Sequence, residues 1–192
     1  TASEEKPNTC GVDAKGIISP ASFNGDRYVH VWNHDGLIIG VPVRSLHSKL
    51  SGKSFETFCT RAGGLCIEVI NAGGDKWYMG DFLPECKRIS GRDDLVLNTH
   101  GPYDPEANGR QERAVMTWTQ DCVAAMHLGG APPGAWSQAA EWADDCRMLM
   151  YGWVESRLGA EVAARWRKMW RPFGWKLNFV KDAPIKLAQK YR

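Results

Sequence analysis

Apolar and polar positions first fall into a regular pattern at Arg27. Arg27-Tyr28-Val29-His30-Val31-Trp32 alternates with the period of a strand, and Asn33-His34-Asp35-Gly36 follows as a turn. That turn ends in the Asp-Gly pair that two-residue hairpins favour, and Leu37 to Val43 reads as the return strand. Pro42 lacks an amide hydrogen, which places this strand at an edge or at the end of its pairing. A second hairpin is predicted from Leu65-Cys66-Ile67-Glu68-Val69-Ile70 through a turn over Asn71 to Asp75 into Lys76 to Phe82. Asp94 to Leu97 supplies a further short strand, and Phe55 to Cys59 a short helix within a polar stretch. The first 26 or so residues show no period and read as an extended arm tied down by Cys10. These elements predict a small antiparallel β-sheet over about residues 27–98.

After a Pro- and Gly-containing stretch from His100 to Gly109 the period becomes helical. Val115, Trp118, Cys122 and Met126 share one face, and Gly129-Gly130 ends the helix. Ser137 is the expected cap of a second helix, with Trp142, Cys146, Leu149, Met150, Trp153 and Val154 as its apolar stripe. A third helix is predicted from about Ala160 to Trp170, and Trp175 to Val180 alternates as a strand would. The expectation is a single α+β domain over residues 1–192: β-rich at about 27–98, helical at about 108–170, basic at 171–192.

Six cysteines at positions 10, 59, 66, 86, 122 and 146 change this picture. Their number is even, their spacing is wide and none forms a Cys-x-x-Cys pair, which points to disulfides and export rather than zinc or redox chemistry. Cys122 and Cys146 stand at similar heights on two antiparallel helices rising about 1.5 Å per residue, so a Cys122–Cys146 bridge is predicted within the helical hairpin. Among the other four, Cys59–Cys66 across the Gly63-Gly64 turn is preferred, leaving Cys10–Cys86, although four cysteines allow three connectivities. The net charge of +2 divides into +8 over Arg165 to Arg192 and −6 over the rest. The basic segment also carries Trp166 and Trp170, so packing against the acidic body is preferred to binding an anionic surface.

Candidate chemistry is sparse. His30 on a strand and Cys122 on a helix, with Leu128-Gly129-Gly130-Ala131-Pro132 following, resemble circularly permuted papain-like hydrolases, in which the thiolate attacks an acyl carbon and the histidine is the base. His100 with Glu106-Ala107-Asn108-Gly109-Arg110 and Arg113 is similar to a fragment of the Fic nucleotidyltransferase loop, and reads more simply as a turn entering a helix. His30, His34 and His47 lack partners at ligand spacing, so no metal and no cofactor is expected. The adjacent pairs Asp93-Asp94 and Asp144-Asp145 point apart on a strand or helix and read as solvated charges.

From Tyr28 to Leu97 the layout resembles small Gram-negative exported lipoproteins encoded beside type VI secretion phospholipase effectors and regarded as their immunity proteins. The shared features are Tyr28-Val29-His30 before Gly36, then Gly63-Gly64-Leu65-Cys66, Lys76-Trp77-Tyr78 and Leu95-Val96-Leu97. The resemblance implies a periplasmic or secreted, non-catalytic binding protein whose partner is another protein, a secreted effector. Arg27, Trp32, Trp77 and Tyr78 are the expected contacts. Nucleic acid is not an expected partner. Membrane contact is expected only through a removed lipid anchor or the basic tail. The alternative is a secreted cysteine hydrolase using Cys122 and His30.

Overall fold

The predicted Asp-Gly hairpin forms, and it sets one edge of the sheet. Asp35 and Gly36 take φ of 45° and 81°, the left-handed pair that matches strand twist. They join β2 (Tyr28–His34) to β3 (Leu37–Val43) in antiparallel register from Tyr28↔Val43 to His34↔Leu37. The computed structural model describes residues 8–100, 105–150, 156 and 159–169. In chain order its remaining elements are β1 (Thr9–Gly16), α1 (Ser48–Arg61), β4 (Val69–Gly73), α2 (Phe82–Ser90), β5 (Val96–His100), α3 (Pro105–Gly129), α4 (Trp136–Met150) and α5 (Ala160–Met169).

The α+β class holds, but the sheet is mixed rather than antiparallel. Its strand order is β3-β2-β1-β4-β5. β1 pairs antiparallel with β2 and parallel with β4, and β4 pairs parallel with β5. The segment expected to be an extended arm therefore supplies the central strand. Its alternation is real but is carried by small residues: Cys10 and Val12 are buried on one face, while Gly11, Asp13 and Lys15 alternate with them. The second predicted hairpin does not form. Tyr78, Phe82, Cys86 and Ile89 recur at helical spacing, so the chain leaves β4 through a 3₁₀ turn at Lys76–Tyr78 and then α2. A parallel neighbour needs such a crossover, and α2 carries the chain back to β5.

Alternate residues of β2 separate the two cores. His30 and Trp32 point to the side of α1 and α2, where Trp32 stacks on Phe58 and Phe82 and its Nε1 donates to Ser54 Oγ at 3.1 Å. Val29 and Val31 point to the other side, against Trp118, Cys122 and Ala125 of α3 and Trp136, Ala139 and Ala143 of α4. Trp118 lies on Gly40 of β3 where any side chain would collide, so glycine there admits the helix. The predicted helix face of Val115, Trp118, Cys122 and Met126 is the one α3 presents to this core. Ser137 lies inside α4 rather than capping it. The third helix forms at Ala160–Met169, and the strand expected at Trp175 to Val180 lies outside the described residues. No helix among the described residues is long and apolar enough to cross a membrane.

No disulfide is present among the described residues. The expected Cys122–Cys146 bridge fails because α3 meets α4 differently from a level hairpin. Cys122 Sγ donates to the Trp136 carbonyl at 3.4 Å, at the first residue of α4, so Cys146 lies ten residues, about 15 Å, further along that helix. Cys146 Sγ instead donates to the Trp142 carbonyl at 2.9 Å. Cys10 and Cys86 are buried core thiols, and Cys66 accepts from Arg92 Nη1 at 2.7 Å. Cys59 is not bonded to Cys66 either, and burial, then the nearby Cys66, pushes its thiol up to about 12.

The pair Asp144-Asp145, expected to be solvated, ties the molecule together at the β3 edge. Asp144 is 2% exposed; its Oδ2 accepts from Arg61 Nη1 at 3.0 Å and from the Gly40 amide at 3.0 Å. It thereby pairs a guanidinium from α1 and satisfies an edge amide that has no strand neighbour. Asp145, 48% exposed, takes a second bond from Arg61 at 2.8 Å. Burial pushes Asp144 up, against the pull of Arg61 and the Gly40 amide, while Arg61 itself is raised by both carboxylates although burial opposes this. Asp144→Ala should cost about 1–3 kcal/mol in urea unfolding, because it leaves the buried Gly40 amide without its acceptor, while Arg61 keeps Asp145. Asp145→Ala should cost less than about 1 kcal/mol.

Candidate active site

Central position and mixed pairing give β1 a special end. Ligands of sheets with parallel strands collect beyond the strands' carboxyl ends, where chain directions diverge. β1 and β4 are parallel, paired from Thr9↔Val69 to Val12↔Ala72, so both carboxyl ends open on the same edge of the sheet. The next residue of β1 is Asp13, half-buried and opposite Val31 of β2. Just past β4 comes Asp75, exposed, heading the 3₁₀ turn with its carbonyl accepting the Tyr78 amide at 3.0 Å. A Cβ on Gly73 would stand 3.7 Å from Asp75 Oδ2, so this carboxyl folds back over the end of β4.

The third acid comes from α3. Gln111 of this helix lies on Gly11 of β1, where a Cβ would come within 2.5 Å of its Nε2. That close approach brings the next residue, Glu112, over Asp13. A groove of about 320 Å³ runs between them, lined by Asp13, Lys15, Glu112, Met116 and Thr119 among others.

Electrostatics set both Asp75 and Glu112 near Asp13. The Asp13 carboxyl is raised first by burial, against its bond from the Ala14 amide at 2.7 Å, and then by the charges of Asp75 and Glu112. Tyr78 is raised by burial and by Asp13 and Asp75. None of the three acids has an ion-pair partner among the described residues. A half-buried carboxylate held beside two others without an ion-pair partner is unfavourable for folding, and such arrangements are enriched at sites of function. Among the described residues no three donors yet stand around one metal position. The donor set is nonetheless all carboxylate, the chemistry that suits magnesium or manganese rather than zinc.

The expected site residues lie elsewhere. Trp32 and Tyr78 are wholly buried core side chains, Trp77 is partly buried, and Arg27 is exposed. His30 and Cys122 face opposite sides of the sheet, so the structure does not bring together the thiol and base of the hydrolase reading. His30 meets Tyr78 Oη at 3.3 Å and burial lowers it to about 4. Cys122 sits against Trp136, pushed up to about 12 by burial and by Asp144 and Asp121. His47 caps α1, accepting from the Lys49 amide at 3.4 Å, and His34 contacts the Thr9 carbonyl at 3.0 Å. The Fic-like fragment is split: Asn108 to Arg113 are helical in α3, and residues 101–104 lie outside the described residues. Sequence reasoning passed over Asp13, Asp75 and Glu112. Their signals were a lone acid in a strand of small residues and an acid closing a Gly-Gly turn.

No protein-family model matches the chain, and no curated protein matches it. Solved structures do. The chain is similar to one in the cryo-EM structure of the simian T-cell lymphotropic virus intasome in complex with PP2A regulatory subunit B56 gamma, at 18% identity and a TM-score of 0.53. That match covers 70% of this chain and 47% of the other, so this chain spans about half the length of that relative. It is also similar to the catalytic core domain of BIV integrase, at 14% identity and a TM-score of 0.50, covering 70% and 81% of the two chains. At these identities the likeness is one of fold.

Because Asp13 is raised in the folded state, the native protein holds more protons than the unfolded one just above the ordinary aspartate range, and this residue's contribution to stability falls as pH rises through that window. Asp13→Asn should therefore melt above the wild type at pH 7 in metal-free buffer, with the two curves converging below about pH 4. Thermal unfolding across pH checks this.

Proposed function

We propose that this chain is the catalytic core of a divalent-metal-dependent enzyme that cleaves and joins phosphodiester bonds in DNA, in the manner of an integrase. One observation carries the reading: Asp13 on one of two parallel strands lies beside Asp75 just past the other and Glu112 of the crossing helix, with no ion-pair partner for any of the three among the described residues. The integrase fold of the structural neighbours supports it. Nucleic acid was not an expected partner, and this reading brings it back.

Asp13, Asp75 and Glu112 are the residues that would hold the cations. When bound, divalent ions at such a site supply Lewis acidity and a deprotonated oxygen nucleophile for in-line displacement at phosphorus. The chain's own part is positional and electrostatic. The central strand fixes Asp13 and the helix–strand contact at Gly11 fixes Glu112. Lys15 in the same groove offers an ammonium to a phosphate. Because a carboxylate must be ionised to hold a cation and Asp13 is raised, affinity should fall as acid protonates this residue.

A second proposal, the exported inhibitor that binds a secreted effector, is supported by the resemblance over Tyr28 to Leu97 and by the exposure of Arg27.

A labelled duplex oligonucleotide incubated with Mg²⁺ or Mn²⁺ tests the first reading. The wild type should nick or join strands only with metal. Asp13→Asn, Asp75→Asn and Glu112→Gln should each reduce the rate by about 10³-fold or more, with double variants scarcely worse, since residues acting as a unit are not additive. Metal-independent cleavage, or cleavage that survives these variants, would refute it.

A further inference from the structure

A second, larger cleft lies on the opposite flank of α3. Its volume is about 880 Å³, within the range of small-molecule sites, and its walls come from the start of β1, the β2–β3 turn, β4 and α3. Two guanidiniums, Arg110 and Arg113, stand on its α3 wall, one turn apart and exposed. Arg110 has no partner among the described residues, and Arg113 Nε donates only to Gly109 of its own helix. The one carboxylate lining the cleft, Asp35, is 85% exposed and 3.7 Å from His34 Nε2.

Deeper in, the chemistry changes. Ile38 and Ala114 give the cleft apolar wall. Asn33 and Gln111 meet over Gly11, where a Cβ would fall 2.7 Å from Asn33 Nδ2 and 2.5 Å from Gln111 Nε2. Asn33 Nδ2, a donor, and Gln111 Oε1, an acceptor, are both buried and make no hydrogen bond. Buried amide atoms are almost always satisfied, and each exception asks for an explanation. A ligand that answers all of these features has a negative charge at one end, a flat apolar body, and an edge with neighbouring acceptor and donor. A phosphate alone leaves the amides unanswered, and an aliphatic anion leaves out the edge.

We propose that this cleft binds a single nucleotide, with its phosphate on Arg110 and Arg113 and its base against Ile38 and Ala114, its edge paired to Asn33 and Gln111. The site goes beyond the carboxylate reading and stands apart from it, since α3 separates the two clefts. The nucleotide has two possible sources: a free mononucleotide, or an unpaired nucleotide of a strand.

Calorimetric titration of the full chain, without metal, tests the site with the four deoxynucleoside 5′-monophosphates, the matching nucleosides and inorganic phosphate. At least one monophosphate should bind about tenfold or more tighter than either its nucleoside or phosphate, a sum of two independent contacts. Arg110→Ala, at an exposed position, should weaken it about tenfold and Arg110→Lys should restore most of the loss. Asp13→Asn should leave it within about twofold, because its carboxyl lines the other cleft. A duplex with one unpaired 5′ nucleotide that binds tighter than a blunt duplex, in an Arg110-dependent way, assigns the site to a strand; equal duplexes beside tight free nucleotide assign it to the free form. No monophosphate binding up to about 10 mM, binding no better than phosphate, or loss on Asp13→Asn but not on Arg110→Ala overturns the proposal.

Discussion

The position of β1 in the middle of the sheet is the constraint on which the rest depends. A strand paired antiparallel on one side and parallel on the other has one carboxyl end that opens beside that of a parallel neighbour. β1 meets that requirement with small residues. Gly11 lets Gln111 of α3 lie against the backbone, and a larger residue would lift the helix and carry Glu112 away from Asp13. The same contact divides the surface beside α3 into two clefts, one acidic and one flanked by guanidiniums.

Buried charge is handled in two opposite ways. At the β3 edge Asp144 is surrounded by Arg61 and the Gly40 amide, so burial is compensated and the carboxylate ties α4 to α1 and the sheet. On the α3 face Arg147 pairs with Asp121, joining the two helices that form that layer. At the strand ends Asp13 is half-buried beside Asp75 and Glu112, and none of the three has an ion-pair partner among the described residues. Asp144 is thus balanced within the fold, whereas Asp13 is held at a cost to it.

Much of the framework was legible in the sequence, and the physical reasons for the rest are specific. The β2–β3 hairpin was readable because Asp35-Gly36 can adopt left-handed backbone geometry at low strain. α3 was readable because Val115, Trp118, Cys122 and Met126 are large and at helical spacing. β1 was not, because its alternation is carried by glycine and alanine as much as by valine, and a central strand needs little bulk when helices press close on both faces. Lys76 to Phe82 reads as a strand because Trp77, Tyr78 and Phe82 favour strands as aromatics, while the spacing of Tyr78, Phe82 and Cys86 is helical. The cysteines suggested bridges by their number, yet burial in the core explains Cys10, Cys86 and Cys122 as well. The acids of the site lie far apart in sequence on three unlike elements, and only the parallel pairing of β1 with β4 and the path of α3 bring them together.

The central claim is that three acids form one cation site. The most direct measurement is anomalous X-ray scattering from a crystal grown or soaked with Mn²⁺. The account predicts manganese bound between Asp13, Asp75 and Glu112, with all three contributing oxygen ligands. A crystal that binds manganese elsewhere, or leaves these carboxylates without it at saturating concentration, would contradict it.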